Sequence, residues 1–247
     1  MIILRSKDEI REIRKAGSIL ARTLEKLTKY AKAGVQTKEL DAIARDEIIR
    51  LDGYPAFKDY KGFPANICVS LNETVVHGIP SDRKLRDGDI VSIDVGVRFR
   101  DYCADAAITV GVGRISEQSA KLIEVTRKAL YIGIENARPG RHLTDMSHAI
   151  QQFVESNGLS VVRALVGHGI GTKIHEEPEI PNFGKPGMGP VLEPGMVLAI
   201  EPMVNAGTFE VETLADGWSI VTKDRKPSAH FEHTIVITAK GAEILTK

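Results

Sequence analysis

Cysteine is nearly missing from this chain of 247 residues: Cys68 and Cys103 are the only two. They lack the spacing of a thiolate metal site and cannot build a disulfide framework, so a reducing cytoplasm is expected. Neither sign of charge is in excess, since Lys+Arg and Asp+Glu both number 33 and no acidic or basic tail is present. That balance gives no direct nucleic-acid footprint and no electrostatic reason to sit on a membrane. No apolar run approaches membrane length, and the opening MIILRSKDEI is too short for a signal-peptide core. Aromatics are scarce, at 5%, with Trp218 the single tryptophan. What remains, 43% apolar and 27% charged, is ordinary for a globular protein of one large domain or two small ones.

Periodicity supplies the organisation. Ser6 with Glu9 three residues on forms a capping box, predicting a helix through Ile10, Ile13, Ala16, Leu20, Leu24 and Leu27 that ends around Gly34. Thr37 is expected to open a second helix through Leu40, Ile43, Glu47 and Leu51, closed near Gly53. The second half repeats the plan. Ser116 opens a helix through Leu122, Val125, Ala129 and Ile132 that breaks at Pro139-Gly140. Thr144 opens another through Met146, Ile150, Phe153 and Val154, ending near Asn157-Gly158. Gly88 then leads GDIVSID to Asp94, as Gly195 leads GMVLAIE to Glu201. Gly34 lies 54 positions before Gly88, and Gly140 lies 55 before Gly195. A duplicated helix–helix–strand unit, spanning 6–112 and 116–240, would face Asp94 and Glu201 across one cleft about a pseudo-twofold axis.

Asp94, Asp105, His168, Glu201 and Glu232 each sit in or beside a short apolar strand-like run. An ionised carboxylate in such a run needs a partner once it leaves water. Four carboxylates carry four negative charges, which two divalent cations would cancel. Strands over 89–97 and 102–110, with the turn centred between Phe99 and Arg100, would place Asp94 directly opposite Asp105. Two like charges about 4 Å apart repel by about 4 kcal/mol at an effective dielectric near 20, so that pairing asks for a cation. Oxygen-rich ligation with one imidazole suits Mn, Fe or Co, with Zn also compatible. Two such ions can lower the pKa of a shared water and clamp the oxygens of a tetrahedral intermediate. The string HEEP is not a zinc-protease helix, because H-E-x-x-H needs a second histidine where Glu179 stands.

The segments NETVVHGIP, DIVSIDVGVRFRDYCAD, GHGIGTKIHEEP, GMVLAIEPM and SAHFEHTIVIT, in that order, resemble the methionine aminopeptidases of the short bacterial type. The resemblance covers nearly the whole chain. It implies an α+β pita-bread fold, with two pseudo-twofold-related halves around a central antiparallel sheet, as one catalytic domain over 1–247. The implied activity is metal-dependent removal of N-terminal methionine from nascent proteins and peptides whose second residue is small and uncharged. By motif position, Asp94 would chelate one ion, Asp105 and Glu232 would bridge both, and His168 and Glu201 would complete the other. Glu201 would also shuttle the proton; His175 would hydrogen-bond the scissile carbonyl and His77 the adjoining peptide nitrogen. Tyr60, Phe63, Cys68, Ile174 and Trp218 would wall the methionine slot, with Phe57 nearby. Phe57 stands where the family commonly has Cys, and Ile174 where it often has Phe. A monovalent-cation site near Asn72, Thr74 and Ser228 is also implied, as are a monomeric chain and transient ribosome contact. The rivals are a pita-bread proline peptidase and a pita-bread binding module that has lost its metals; the second is disfavoured because all five ligand positions are filled.

Overall fold

A computed structural model describes all 247 residues. In chain order it runs α1 (Lys7–Tyr30), α2 (Thr37–Arg50), β1 (Cys68–Leu71), β2 (Ile90–Phe99) and β3 (Tyr102–Gly111). The second half follows with α3 (Glu117–Asn136), α4 (Leu143–Ser156), β4 (Gly167–Gly169), β5 (Glu176–Ile180) and β6 (Val197–Ile200). It ends with β7 (Met203–Asn205), β8 (Ser228–His230), β9 (His233–Thr238) and β10 (Gly241–Ile244). The predicted α+β class and the four helices are all present.

Local chemistry explains the helix ends. Ser6 Oγ accepts from the Glu9 N–H at 3.3 Å while Glu9 Oε2 accepts from the Ser6 N–H at 2.8 Å, closing the expected box. Ser116 caps α3 by accepting from the Ser119 N–H at 3.1 Å. Of the other two starts, α2 opens at Thr37 as expected, while α4 opens one residue before Thr144. Gln36 and His142 occupy the N-cap positions, so α2 begins at Thr37 and α4 at Leu143. The threonine hydroxyls are spent on loops instead. Thr37 Oγ1 accepts from the Ser81 N–H at 2.8 Å, and Thr144 Oγ1 accepts from the Met188 N–H at 2.8 Å. Each pins the segment that leads towards the carboxylate-bearing strand of its own half.

The two halves use the same hydrogen bonds. Gly34 N–H donates to Leu85 O and Gly140 N–H to Leu192 O, both at 2.8 Å. Gly88 and Gly195 turn the chain into β2 and β6 at φ +92 and +100, where a side chain would be strained. Packing follows the same division. One buried cluster gathers α1 and α2 residues such as Leu20 and Leu40 against β2 and β3; the other gathers α3 and α4 residues such as Leu122 and Met146 against β6 and β9.

In the first half β2 pairs with β1 and Tyr54–Pro55 along one edge and with β3 along the other, all antiparallel. In the second the order is β10-β9-β6-β4-β5, again antiparallel. The hairpin register corrects the expected one. The turn centres on Arg100–Asp101, with Arg100 at φ +52 and Phe99 paired to Tyr102, so Asp94 faces Ala107 and Asp105 faces Gly96. Moving the turn centre by one residue slides the pairing by two. The side-chain period is also two, so both aspartates keep a common face as diagonal neighbours.

Buried threonines join the two halves. Thr234 Oγ1 donates to Asp105 O at 2.8 Å and accepts from the Asp105 N–H at 2.9 Å. Thr109 Oγ1 does the same with the backbone of His230, at 2.8 and 2.9 Å. Between them Glu232 N–H donates to Ala107 O at 2.9 Å. Thr234→Val keeps the shape but leaves the Asp105 backbone unpaired, and should cost about 1–3 kcal/mol in denaturant unfolding. A variant as stable as the parent would show that this seam carries no energy.

Candidate active site

The seam brings the five predicted ligand residues to one place. Asp94 and Asp105 come from β2 and β3. Glu201 follows β6 and Glu232 precedes β9, and since His233 pairs with Ile200 the two glutamates continue that register past the ladder. His168 lies in β4 opposite Ala199, two residues from Glu201 on the same face. The glycines on either side of it permit this approach: a Cβ at Gly167 would lie 2.4 Å from Ala199 O, and one at Gly169 2.0 Å from Glu177 O.

Burial makes this an electrostatic problem. Asp105 and Glu232 are 3% and 2% exposed. Desolvation pushes the Asp94 carboxyl up to about 7 and raises Asp105, Glu201 and Glu232 well above the ordinary carboxylate range. Asp94 Oδ1, Asp105 Oδ1 and Glu232 Oε1 are buried with no hydrogen-bond partner. Three orphaned carboxylate oxygens in one cluster fit the needs of a cation, because buried polar groups otherwise find donors. Asp105, His168 and Glu232 offer ligand atoms that all lie within 4.8 Å of one another. The imidazole suits the same purpose. His168 Nδ1 lies 3.0 Å from Gly169 O and, bonded there, carries the proton; that leaves Nε2, 3.4 Å from Glu201 Oε1, with its lone pair towards the cluster. Burial holds this ring down at about 4, so it is neutral at pH 7.

Above the carboxylates opens a cavity of about 230 Å³. Phe57, Tyr60, Phe63, Cys68 and Trp218 supply its apolar walls, with the Phe63 and Trp218 rings edge-to-face at 5.2 Å. His77 and His175 also face it. His77 sits at φ +59, a left-handed conformation costing a non-glycine residue about 1–3 kcal/mol, and burial holds its ring down at about 4. His175 has an exposed edge, but its ring packs 4.2 Å from that of His168, and burial of this face lowers its pKa. Ile174 departs from the expected slot. It is buried, yet lines a neighbouring hollow with Pro55, Tyr60, Arg98 and Cys103. Of the residues implied for a monovalent cation, Asn72 and Ser228 are joined by the Ser228 N–H to Asn72 O bond at 2.8 Å. The Asn72 carboxamide is already committed to Asp89 and the Ile90 N–H.

Two residues here escaped the sequence reading. Lys61 lines the cavity beside Tyr60. His230 is 1% exposed, has no hydrogen-bond partner on either ring nitrogen, and places Nε2 3.6 Å from Glu201 Oε2. Its spacing of two from Glu232 on an extended segment was the available signal, since alternate residues share a face.

This arrangement has close counterparts. The sequence model of metallopeptidase family M24 matches residues 11–239. A methionine aminopeptidase of Clostridium perfringens is 54% identical over 246 residues, covering 100% of this chain and 99% of that one. Methionine aminopeptidase 1 of Bacillus subtilis is 54% identical over the full length of both. The crystal structure of the Thermotoga maritima methionine aminopeptidase superposes with a TM-score of 0.99 at 46% identity over all of both chains. A prolidase from Pyrococcus furiosus superposes at 0.80 with 25% identity, over 99% of this chain but 65% of that one. The chain belongs to metallopeptidase family M24 and, within it, to the methionine aminopeptidases. Its fold is the pita-bread fold those relatives share.

The raised carboxylates give a pH signature with a definite sign. In the metal-free protein they hold protons that the unfolded chain has released. Their contribution to stability is therefore lost as pH rises through the Asp94 value of about 7. His77 and His168, lowered to about 4, act oppositely between there and their ordinary range. A divalent ion must displace the carboxyl protons, so calorimetric titration with Mn²⁺ in buffers of differing ionisation enthalpy should show proton release at about pH 6, and tighter binding with less release at about pH 8. Equal affinity and no release at both would contradict the buried-carboxylate account.

Proposed function

We propose that the chain removes the N-terminal methionine from peptides and newly made proteins whose second residue is small, using a pair of divalent cations. The observation that carries this is the set of orphaned, buried carboxylates beneath an apolar cavity. Asp94, Asp105, His168, Glu201 and Glu232 would hold the ions, with Mn, Fe, Co and Zn all compatible with that donor set. Bound there, the ions would supply Lewis acidity and lower the pKa of a nucleophilic water. Glu201 would take the proton from that water and deliver it to the leaving amine. His175, at the rim beside His168, would donate to the scissile carbonyl and its developing negative charge. His77, strained towards the cavity, would meet the adjoining peptide nitrogen. Phe57, Tyr60, Phe63, Cys68 and Trp218 would receive the unbranched thioether, which adapts to an irregular apolar slot.

The chain is read as one catalytic domain over residues 1–247, because each half supplies carboxylates to a single cluster. The setting is read as the cytoplasm; both cysteines are unpaired thiols, and no helix is long and apolar enough to cross a membrane.

Glu201→Gln keeps shape and a ligating oxygen but removes the proton acceptor, and should lower kcat by about 10²–10⁴-fold. His175→Ala should lower it by about 10²–10³-fold, the effect of one lost oxyanion donor. Near-parental kcat in both variants would remove these residues from the mechanism. Substrate choice separates the rivals. With the same Mn²⁺-loaded protein, kcat/KM for Met-Ala-Ser should exceed that for Met-Lys-Ser and Ala-Pro-Ser. Preference for the proline peptide would favour a prolidase-like activity, and no cleavage under any metal would favour a binding module.

A further inference from the structure

We infer that Tyr60 sets the tautomer of His175, acting through its hydroxyl as a positioning residue as well as a wall of the cavity. The inference rests on the role proposed above for His175 as the donor to the scissile carbonyl. A neutral imidazole carries one proton, so it can offer that carbonyl a hydrogen bond from Nε2 only if Nδ1 is bare. The partner of Nδ1 therefore decides whether the ring donates or accepts at the cavity.

That partner is Tyr60, whose Oη lies 2.9 Å from His175 Nδ1. Of the two groups, the phenol is the stronger acid and so the better donor. The Lys61 ammonium lies 5.4 Å from the centroid of the Tyr60 ring, over its aromatic face. With Tyr60 O–H donating, Nδ1 accepts and the imidazole proton resides on Nε2.

The surroundings hold this pair in place. The Tyr60 and His175 rings stack at 5.2 Å with an interplanar angle of 27°, while His168 packs 4.2 Å from His175. His175 thus packs against two rings. Tyr60 itself sits on a strained turn, with Asp59 at φ +63 and Lys61 at φ +49, both left-handed and neither a glycine. Such conformations persist where neighbouring bonds over-determine them. Here Asp59 N–H donates to Phe63 O at 3.0 Å, Tyr60 N–H to Phe57 O at 3.0 Å, and Phe63 N–H to Tyr60 O at 2.9 Å. A wall residue alone needs no such aiming; a hydroxyl that must meet one ring nitrogen does.

The test reads the proton directly. In metal-free protein with ¹⁵N-labelled imidazoles, long-range proton–nitrogen spectra report which nitrogen of each histidine is protonated. The His175 signals are assigned by their loss in His175→Gln. The parent should show Nδ1 bare and Nε2 protonated, and Tyr60→Phe should show a mixture. In the Mn²⁺-loaded enzyme Tyr60→Phe should lower kcat for Met-Ala-Ser by about 10-fold, with KM changed less than about 2-fold, because the wall remains while the donor is no longer selected. Protonation on Nδ1 in the parent would overturn the inference, as would an unchanged tautomer and kcat in Tyr60→Phe. The parent spectrum decides the question even if the variant fails to fold. If the loaded parent cleaves no peptide, the catalytic reading falls while the spectrum still reports the tautomer.

Discussion

Four carboxylates held together out of water are the constraint on which this molecule turns. Desolvation lifts every one of them, Asp94 to about 7 and the others well above the ordinary carboxylate range, and their mutual repulsion adds to Asp105 and Glu232. A fold that gathers such groups without a counter-charge gives up stability to do so. The protein does so deliberately. Two aspartates from one hairpin meet two glutamates from the other half, and the buried threonines Thr234 and Thr109 tie the seam by hydrogen bonds to backbone. Those threonines leave the carboxylate oxygens free. Had the seam been made by donors to the carboxylates, the orphaned oxygens of Asp94, Asp105 and Glu232 would be satisfied and unable to accept a cation.

The duplicated architecture answers the same constraint. Each half delivers a strand to the cleft from a glycine turn, Gly88 or Gly195, after a loop pinned to the start of a helix. Rigid elements on both sides set the carboxylate positions, which suits a site that needs its charges preorganised. Three of the seven left-handed residues that are not glycine, His77, Asp59 and Lys61, stand at or beside the cavity above them. His77 and Lys61 line the cavity and Asp59 precedes Tyr60 of its wall, where a functional cost is tolerated.

Much of this was legible from residue order. The capping box at Ser6 and Glu9, the four helices and the glycine-led strands follow from short-range rules that the structure obeys. Other features depended on contacts far along the chain. Thr37 and Thr144 stand at helix starts, but Ser81 and Met188 claim their hydroxyls, 44 positions away in each case. The hairpin turn slipped by one residue because Arg100, not a glycine, takes the left-handed position. Ile174 lines a different hollow from the one its motif implied, with Tyr60 common to both. His230 reads as one more strand residue until the fold of its own half brings Glu201, 29 positions earlier, beside it. Helices are local, whereas a site assembled across two halves is not.

The account stands on the claim that the buried carboxylates are balanced by divalent cations at this one place. Crystals of the protein grown with Mn²⁺ and measured at the manganese absorption edge test it most directly. The account predicts two anomalous peaks among Asp94, Asp105, His168, Glu201 and Glu232, absent after chelation and restored on adding the ion back. Metal-saturated, active protein with no anomalous density among those five residues would contradict it.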